Sequence, residues 1–250
     1  MRPEMIGESE GGHASRCEVT ILIPAYRESE YITATILGIV EAFVSAHMQF
    51  EILVVLDTVP NDQTGARLAE AATKASQIRV IERQGRRGVG DAIRTGITHA
   101  LGKVVIVVMG DQSEEAEDVV KLAEIARFND IVFTNRFRGG RPEGYPRVKY
   151  LANRLCNLSA KLLFHVPYSD ITNAFKAYRR AIIADLNLTA TGFEVFLELP
   201  LKGMRRAHRT VEVEVRHRVM KRKVAKLSVT KDGYGYVVLL ISLLRNSYRS

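Results

Sequence analysis

Residues 18–28 read Glu-Val-Thr-Ile-Leu-Ile-Pro-Ala-Tyr-Arg-Glu. The apolar run from Glu18 to Ile23 predicts a strand that is buried on both faces and ends at Pro24, because a half-exposed strand would alternate apolar with polar residues. Apolar residues at helical spacing follow over residues 31–46 and predict a helix. A fully buried strand followed at once by a helix is the unit from which parallel sheets are built.

The same unit recurs along the first half of the chain. Further apolar runs predict strands at residues 50–56, 78–81, 103–109 and 130–134, and helical spacing predicts helices at residues 64–75, 90–101 and 116–127. This alternation predicts an α/β fold, doubly wound, in which a mostly parallel sheet carries helices on both faces. A ligand of such a fold binds at the carboxyl ends of the strands.

The second half is less regular, with helical spacing over residues 145–164 and a strand-like alternation over residues 210–215. No repeat or low-complexity linker divides the 250 residues, of which 46% are hydrophobic, so a single domain with a large core is expected. Residues 1–16 lack an apolar run and predict a disordered tail. The expected domain therefore comprises residues 17–250.

Positive charge is concentrated at the C-terminal end. Residues 201–250 contain 13 Lys and Arg against three acidic residues, and so carry more positive charge than the whole chain, whose net charge is +8. A surface of this kind attracts phosphates, anionic lipid or nucleic acid. Aromatic residues are not interleaved with the basic ones as stacking platforms require, so a nucleic-acid partner is not expected.

Two further features bear on where the protein acts. The two cysteines, Cys17 and Cys156, lack the spacing of metal ligands and indicate the reducing cytosol. The apolar run Tyr236–Leu244 is too short to cross a hydrocarbon core of about 30 Å. It either lies on a membrane surface or covers the core of the domain.

Polar loops follow the predicted strands of the first half. The first strand ends in Pro24–Glu28, the second in Asp57–Thr64 and the fourth in Met109–Ser113, while the glycine-rich stretch Gly85–Asp91 opens a helix. Glycines at a helix N-terminus expose backbone N–H groups that bind anions. Because parallel strands bring such loops to one edge of the sheet, the loops predict a binding site for an anionic ligand.

These loops and several later motifs resemble the family 2 glycosyltransferases, in particular the dolichol-phosphate mannose synthases and other polyprenyl-phosphate sugar transferases. Residues 21–28 resemble the family's Ile-Ile-Pro-x-Tyr-Asn-Glu, residues 54–57 its Val-Val-Asp-Asp, residues 87–92 its Gly-x-Gly-x-Ala and residues 107–113 its metal-binding loop. Residues 170–179, Asp-Ile-Thr-Asn-Ala-Phe-Lys-Ala-Tyr-Arg, are similar to its Asp-x-Thr-x-x-Phe-x-x-Tyr-Arg. The motifs stand in the family's order.

The resemblance implies a GT-A fold with a nucleotide half (residues 17–134), an acceptor half (135–230) and an apolar, basic C-terminal segment (231–250). It implies that the nucleotide-sugar donor contacts Pro24, Ala25, Tyr26, Glu28, Asp57, Gly88, Asp91, Gly110, Asp111 and Gln112. It also implies Mg²⁺ or Mn²⁺ at Asp111, an acceptor phosphate held by Arg136, Arg147, Lys149 and Arg154, and catalytic roles for Asp111, Arg136 and Arg179. Arginine suits this task because it binds phosphate in a bidentate manner.

Two departures from the family pattern matter. Met109-Gly110-Asp111 stands where the family has Asp-x-Asp, so the first carboxylate is absent. Mg²⁺ often uses one or two carboxylates plus substrate phosphates, so Asp111 and the donor diphosphate could suffice, with Gln112 or Ser113 in the outer shell. The loop after Asp57 is one residue longer than in the family, which leaves the donor nucleotide open.

The expected function is an inverting, metal-dependent transfer of a sugar from GDP-mannose or a UDP-sugar to a polyprenyl phosphate. It is expected in the cytoplasm, either free or at the cytoplasmic face of a membrane that the basic C-terminal region contacts. The alternatives are a soluble acceptor and a non-catalytic protein that binds a nucleotide-sugar. Simpler roles stay open for single residues, because Glu28, Asp57 and Asp111 could cap helices or shape turns, and the helix dipole alone favours an acid at Asp91.

Overall fold

The computed structural model describes residues 17–85, 87–220 and 229–247. The strands in this part of the chain are β1 (Val19–Ala25), β2 (Phe50–Thr58), β3 (Ile78–Gln84), β4 (Val104–Val107), β5 (Ile131–Asn135), β6 (Lys176–Arg179) and β7 (Thr210–Glu214). They form one sheet with the order β3-β2-β1-β4-β6-β5-β7. Only β6 runs antiparallel to its neighbours, so the sheet is mostly parallel.

Helices cover both faces of the sheet. Within the described ranges they are α1 (Ile32–Ser45), α2 (Thr64–Lys74), α3 (Val89–His99), α4 (Ala116–Ala126), α5 (Arg147–Phe164), α6 (Arg180–Ile183), α7 (Val195–Met204) and α8 (Val229–Ser247). α1, α2 and α4 contribute to one hydrophobic core, and α3, α5, α7 and α8 contribute to the other. The prediction of a doubly wound α/β fold with a mostly parallel sheet is confirmed.

β1 shows why the apolar runs form strands in this fold. All its residues are buried, with Ile21 and Ile23 in one core and Leu22 in the other, as the two-residue period of a strand requires. Ile21 pairs with Ile52 of β2 and with Ile106 of β4. β1 is therefore flanked on both sides, and the loops after β1, β2 and β4 meet at one edge of the sheet, the carboxyl edge.

Some elements differ from the sequence predictions. β6 has only four residues, too few for a periodic signal, and no strand is predicted there. α7 is also absent from the predictions, because eight of its ten residues are buried and its sequence has no amphipathic spacing. α5 begins at Arg147 instead of residue 145, since Pro146 has an extended backbone.

α8 contains the apolar run Tyr236–Leu244, and Leu239 and Leu243 of this run are buried in the core. No helix in the described part of the chain combines the length and the apolarity that crossing a bilayer requires. The predicted tail, residues 1–16, and the basic cluster of residues 221–226 lie outside the described residues.

Candidate functional site

Asp57 connects the end of β2 to the glycine-rich stretch before α3. One carboxylate oxygen accepts hydrogen bonds from the backbone N–H groups of Arg87 (2.9 Å) and Gly88 (3.2 Å). The other accepts from the buried guanidinium of Arg83 (2.5 Å), which also donates to Asp91 (2.7 Å). Asp57 and Asp91 thus hold the loop in place through Arg83, a residue that the motifs do not single out.

The glycines of this loop are required by its packing. Gly88 has a φ of +93°, and a Cβ there would lie 2.5 Å from the carbonyl oxygen of Thr191. A Cβ on Gly90 would lie 2.2 Å from the carbonyl oxygen of Ala190. The Gly90 N–H donates to Thr191 at 2.9 Å, so the loop is joined to the segment that precedes α7. Only glycine permits this approach of two backbones.

A first cavity, cavity A, opens at the carboxyl edge between the loops after β1 and β2. Six of the ten predicted donor-binding residues line it, namely Pro24, Ala25, Tyr26, Glu28, Asp57 and Gly88. The rest of its wall is Val89, Ala92, Met109, Gly192 and Phe193. Asp91, Gly110 and Gln112 do not line it: Asp91 is bonded to Arg83 and Arg94, while Gly110 is packed against Ile32.

A second cavity, cavity B, lies beside the loop after β4. Asp111, Arg136 and Lys149 of the predicted site line it, together with Ser113, Glu114, Tyr145, Asn153, His217 and Arg218. Met109 and Phe193 belong to the walls of both cavities. The two cavities therefore adjoin at Met109 and Phe193, which is the arrangement that a reaction between two ligands needs.

The loop that carries Asp111 is held on both sides. The backbone N–H of Ser113 donates to the Asp111 carboxylate at 3.1 Å, and so does the Ser113 hydroxyl. Gln112 takes a left-handed conformation (φ 57°), and its N–H donates to the Thr35 hydroxyl of α1 at 3.2 Å. The Arg218 N–H donates to the Ser113 carbonyl at 3.0 Å. Asp111 thus shapes a turn, as the simpler interpretation predicts, and it also lines cavity B.

Glu114 is a second carboxylate in this loop. Burial raises its pKa to about 8, and the charge of Asp111 adds to the effect. Its Oε2 is buried and has no hydrogen-bond partner among the residues that the structure describes. A divalent cation suits this carboxylate pair, because hard cations prefer oxygen ligands. No three His, Cys, Asp or Glu side chains in the described ranges are grouped to hold a metal unaided, so a ligand's phosphates would complete its coordination.

Arg136 is anchored by Asp170. Its guanidinium donates two hydrogen bonds of 2.9 Å to the fully buried carboxylate, and the Arg136 backbone N–H donates a third at 3.0 Å. Burial alone would raise the pKa of Asp170, but the Arg136 charge holds it below its ordinary value. Burial also lowers the pKa of the neighbouring Lys176 to about 7. Asp170 of the Asp-x-Thr motif therefore orients Arg136 in the wall of cavity B.

The remaining predicted cations lie apart from the cavities. Arg147 and Arg154 are exposed on α5 and line neither cavity. Arg179 lies at the opposite edge of the sheet, since it pairs in register with Val104, the first residue of β4, and binds Asp130 at 2.6 Å. The structure therefore does not bring Arg179 to the cavities, because β6 runs antiparallel and turns its last residue away from the carboxyl edge.

A comparison of the sequence with models of known protein families identifies the family of this chain. Residues 20–186 match the family model described as Glycosyl transferase family 2. The chain belongs to glycosyl transferase family 2. The expected membership of family 2 is thereby confirmed.

Similar proteins agree with this assignment. The chain is 27% identical over 214 residues to the dolichol-phosphate mannosyltransferase of Pyrococcus furiosus, covering 84% of this chain and 59% of that protein, so it spans less than two thirds of that relative. It is 27% identical to the polyprenol monophosphomannose synthase of Mycolicibacterium smegmatis, covering 83% and 80% of the two chains. The glucosyl-3-phosphoglycerate synthase of Mycobacterium tuberculosis, solved with Mn²⁺, UDP and phosphoglyceric acid, superposes with a TM-score of 0.70 at 19% identity over 93% of this chain and 78% of that chain. This confirms the GT-A fold.

This family 2 glycosyltransferase has a further residue in cavity B that the motifs do not indicate. His217 follows β7 and lines the cavity beside Tyr145. Burial lowers its pKa to about 4, with a smaller contribution from the charge of Arg136, so the imidazole is neutral at neutral pH. No sequence signal identifies it, because its burial results from the chain crossing over the Asp111 loop.

An exposed apolar stripe runs along α5 from the mouth of cavity B. Val148, which lines the cavity, is 70% exposed, and Leu151, Leu155, Leu158 and Leu162 follow at intervals of three or four residues. α5 contains four Lys and Arg but no acidic residue. α8 adds Tyr234, Val237, Val238 and Ile241 as exposed apolar side chains. An exposed apolar stripe on a helix with basic but no acidic residues, as in α5, is typical of helices that lie on anionic membranes.

Proposed function

We propose that this family 2 glycosyltransferase transfers a sugar from a nucleotide-sugar to a polyprenyl phosphate, with a divalent cation and with inversion at the sugar carbon. The observation that carries the lipid acceptor is the apolar stripe of α5. It begins at Val148 in the wall of cavity B, and α5 carries basic residues without acidic ones. A prenyl chain and its phosphate need these two properties side by side.

Cavity A is proposed as the donor site. The glycine-rich loop beside it is fixed by Asp57 and Arg83, and its backbone lies at the start of α3, where the helix dipole favours anions. The donor is GDP-mannose or a UDP-sugar. The names of the relatives support mannose, whereas UDP is the nucleotide held by the similar solved structure.

Cavity B is proposed as the acceptor site. A phosphate monoester has a second pKa of about 6, so at neutral pH it is already a nucleophile and needs cations more than a general base. Lys149 and Arg136 supply these cations, with Arg136 oriented by Asp170. An Mg²⁺ or Mn²⁺ ion held by Asp111 would stabilise the charge that develops on the departing diphosphate.

Inversion follows from direct displacement. The acceptor phosphate would approach the sugar carbon from cavity B while the nucleoside diphosphate departs on the side of cavity A, and the cavities share Met109 and Phe193. No covalent intermediate is needed. Trapping a glycosyl group on a carboxylate of the enzyme would contradict this part of the proposal.

The protein is also proposed to act at a membrane surface. The stripe of α5 and the exposed side chains of α8 would enter the interface, and nearby Lys and Arg would each contribute about 1 kcal/mol at an anionic surface. Residues 221–226, which carry the basic cluster, lie outside the described residues.

The test measures transfer of radiolabelled sugar into the organic phase. GDP-mannose, UDP-glucose and UDP-N-acetylglucosamine are each offered with undecaprenyl or dolichyl phosphate, with and without Mn²⁺. Label is expected with one donor, only with metal, and not with the unphosphorylated prenol. Transfer to 3-phosphoglycerate but not to lipid would favour the soluble acceptor. Donor binding without any transfer would favour the non-catalytic protein.

A pair of variants on α5 refines this test. Lys149→Met removes a cation from cavity B and is expected to raise the acceptor KM about tenfold to hundredfold, since a hydrogen bond to a charged group contributes about 1.5–3 kcal/mol. Arg154→Met removes an equal charge from the same helix outside both cavities and serves as the control. Equal effects of the two variants would show that only the net charge of α5 matters.

A further inference from the structure

The loop after β4 carries a methionine, Met109, at the point where the two cavities meet. By the resemblance to the family motif, Met109 takes the position of the first Asp of Asp-x-Asp, and this residue lines both cavity A and cavity B. A thioether is a poor ligand for Mg²⁺ or Mn²⁺, which prefer carboxylate and phosphate oxygens. A metal at Asp111 therefore needs another ligand from the chain or must depend on the donor alone.

Glu114 is the carboxylate that the fold brings to this point. It lines cavity B together with Asp111, and its carboxylate accepts a hydrogen bond from the backbone of Met109. Its Oε2 is buried without a partner in the part of the chain that the structure describes. A buried oxygen in this state is costly, and a missing ion is one of the few explanations for it.

The neighbouring acids do not share these properties. Glu115 is engaged at 2.6 Å by the guanidinium of Arg218. Glu117 lies in the first turn of α4 and is exposed. Glu114 is thus distinguished from the acids that follow it by an unsatisfied oxygen inside the cavity.

We propose that Glu114 is the second carboxylate ligand of the divalent cation bound at Asp111, and that it compensates for the methionine at position 109. The inference rests on the metal dependence in the proposed function. It predicts that the ligand set of this chain is Asp111, Glu114 and the donor diphosphate. It also predicts that a carboxylate introduced at position 109 restores the metal affinity that is lost when Glu114 is replaced.

The test is Mn²⁺ binding by the full chain, followed through the electron paramagnetic resonance signal of free Mn²⁺ in the presence of UDP or GDP. Glu114→Gln is expected to weaken Mn²⁺ binding by at least about tenfold to hundredfold, the range known for changes in a metal's outer shell. Glu117→Gln, which makes the same substitution at an exposed position nearby, is expected to change Mn²⁺ binding less than about twofold. Adding Met109→Asp to Glu114→Gln is expected to recover most of the affinity.

The outcomes separate this inference from the proposed function. Wild-type affinity in Glu114→Gln, with loss of binding in Asp111→Asn, would overturn the role of Glu114 and leave the metal-dependent transferase intact. An absence of Mn²⁺ binding by the wild-type chain with either nucleotide would overturn both. Thermal melting without metal checks the fold of Glu114→Gln. This variant is expected to melt no lower than the wild type, because a neutral amide replaces a buried carboxylate.

Discussion

Cavities A and B adjoin, yet they are built in opposite ways. Beside cavity A, the buried charges are paired, and Asp57 accepts three hydrogen bonds from Arg83 and the glycine-rich loop. In cavity B, Glu114 has an unsatisfied oxygen, and His217 is kept neutral by burial. In the first region the buried ions are paired with one another, although the Nε atom of Arg83 has no hydrogen-bond partner among the described residues; the second region contains a carboxylate oxygen that a bound cation could satisfy. The difference implies that the ion pairs beside cavity A mainly stabilise the fold. The titratable groups in cavity B are instead expected to respond to pH and to bound ions.

The largest expected effect is at Arg83. Arg83→Met leaves Asp57 buried without its ionic partner and is expected to reduce the free energy of unfolding by about 3–5 kcal/mol. Donor affinity should fall with it, because the glycine-rich loop loses its support. Urea denaturation and nucleotide titration measure the two effects. Arg127→Met, which breaks the exposed pair with Glu18, is the control, with an expected change below about 1 kcal/mol.

A substitution in the same loop tests its backbone. Gly88→Ala is expected to cost about 1–3 kcal/mol, since the residue has a φ of +93° and the new Cβ would press on the Thr191 carbonyl. Gly38→Ala in α1, where no atom lies within 4 Å of the new Cβ, is expected to stabilise by up to about 1 kcal/mol. If both variants have the same stability in urea, the described conformation of the loop is incorrect.

The pH response tests cavity B. The pKa of His217 is lowered to about 4 by burial, so the unfolded chain binds a proton between about pH 6.5 and 4 that the folded chain does not. The contribution of the neutral His217 to the free energy of unfolding is therefore fully present above pH 6.5, and it is lost as the pH falls through this range. With an allowance for the partial exposure of His217, the free energy of unfolding of the wild type should fall by about 2 kcal/mol more than that of His217→Asn between pH 7 and pH 4.

Urea denaturation at the two pH values measures this difference. Equal losses in the two proteins would show that His217 is not held neutral in cavity B, and the contrast between the cavities would weaken.

The smallest effect on stability is expected on the stripe of α5. Leu151→Ser with Leu155→Ser changes side chains that are 66% and 67% exposed, so the free energy of unfolding should change by less than about 0.5 kcal/mol per site. Co-sedimentation with anionic vesicles should nevertheless fall several-fold, because these side chains would no longer enter the interface. Unchanged sedimentation would remove the membrane surface from the proposed function.

Much of the sheet could be predicted from the sequence, because β1 and β2 are buried on both faces and their apolar runs are unbroken. The strand-end loops followed from the same reasoning, and most of the residues predicted around Pro24 and Asp57 line cavity A. Arg179 was misplaced because a motif gives the order of residues but not the direction of a strand. Arg83 and Glu114 were missed because the burial of a charged side chain depends on segments far away in sequence.

The antiparallel strand β6 has a consequence for folding during synthesis. In the described sheet, β5 and β7 reach β4 only through β6, whose Lys176 pairs with Val107. While a ribosome has not yet released residues 176–179, β1 to β4 can assemble, but β4 and β5 each present an unpaired edge. Open edges of this kind invite aggregation. The link between β4 and β5 thus waits for four residues, and a translational pause just before them would leave these edges open.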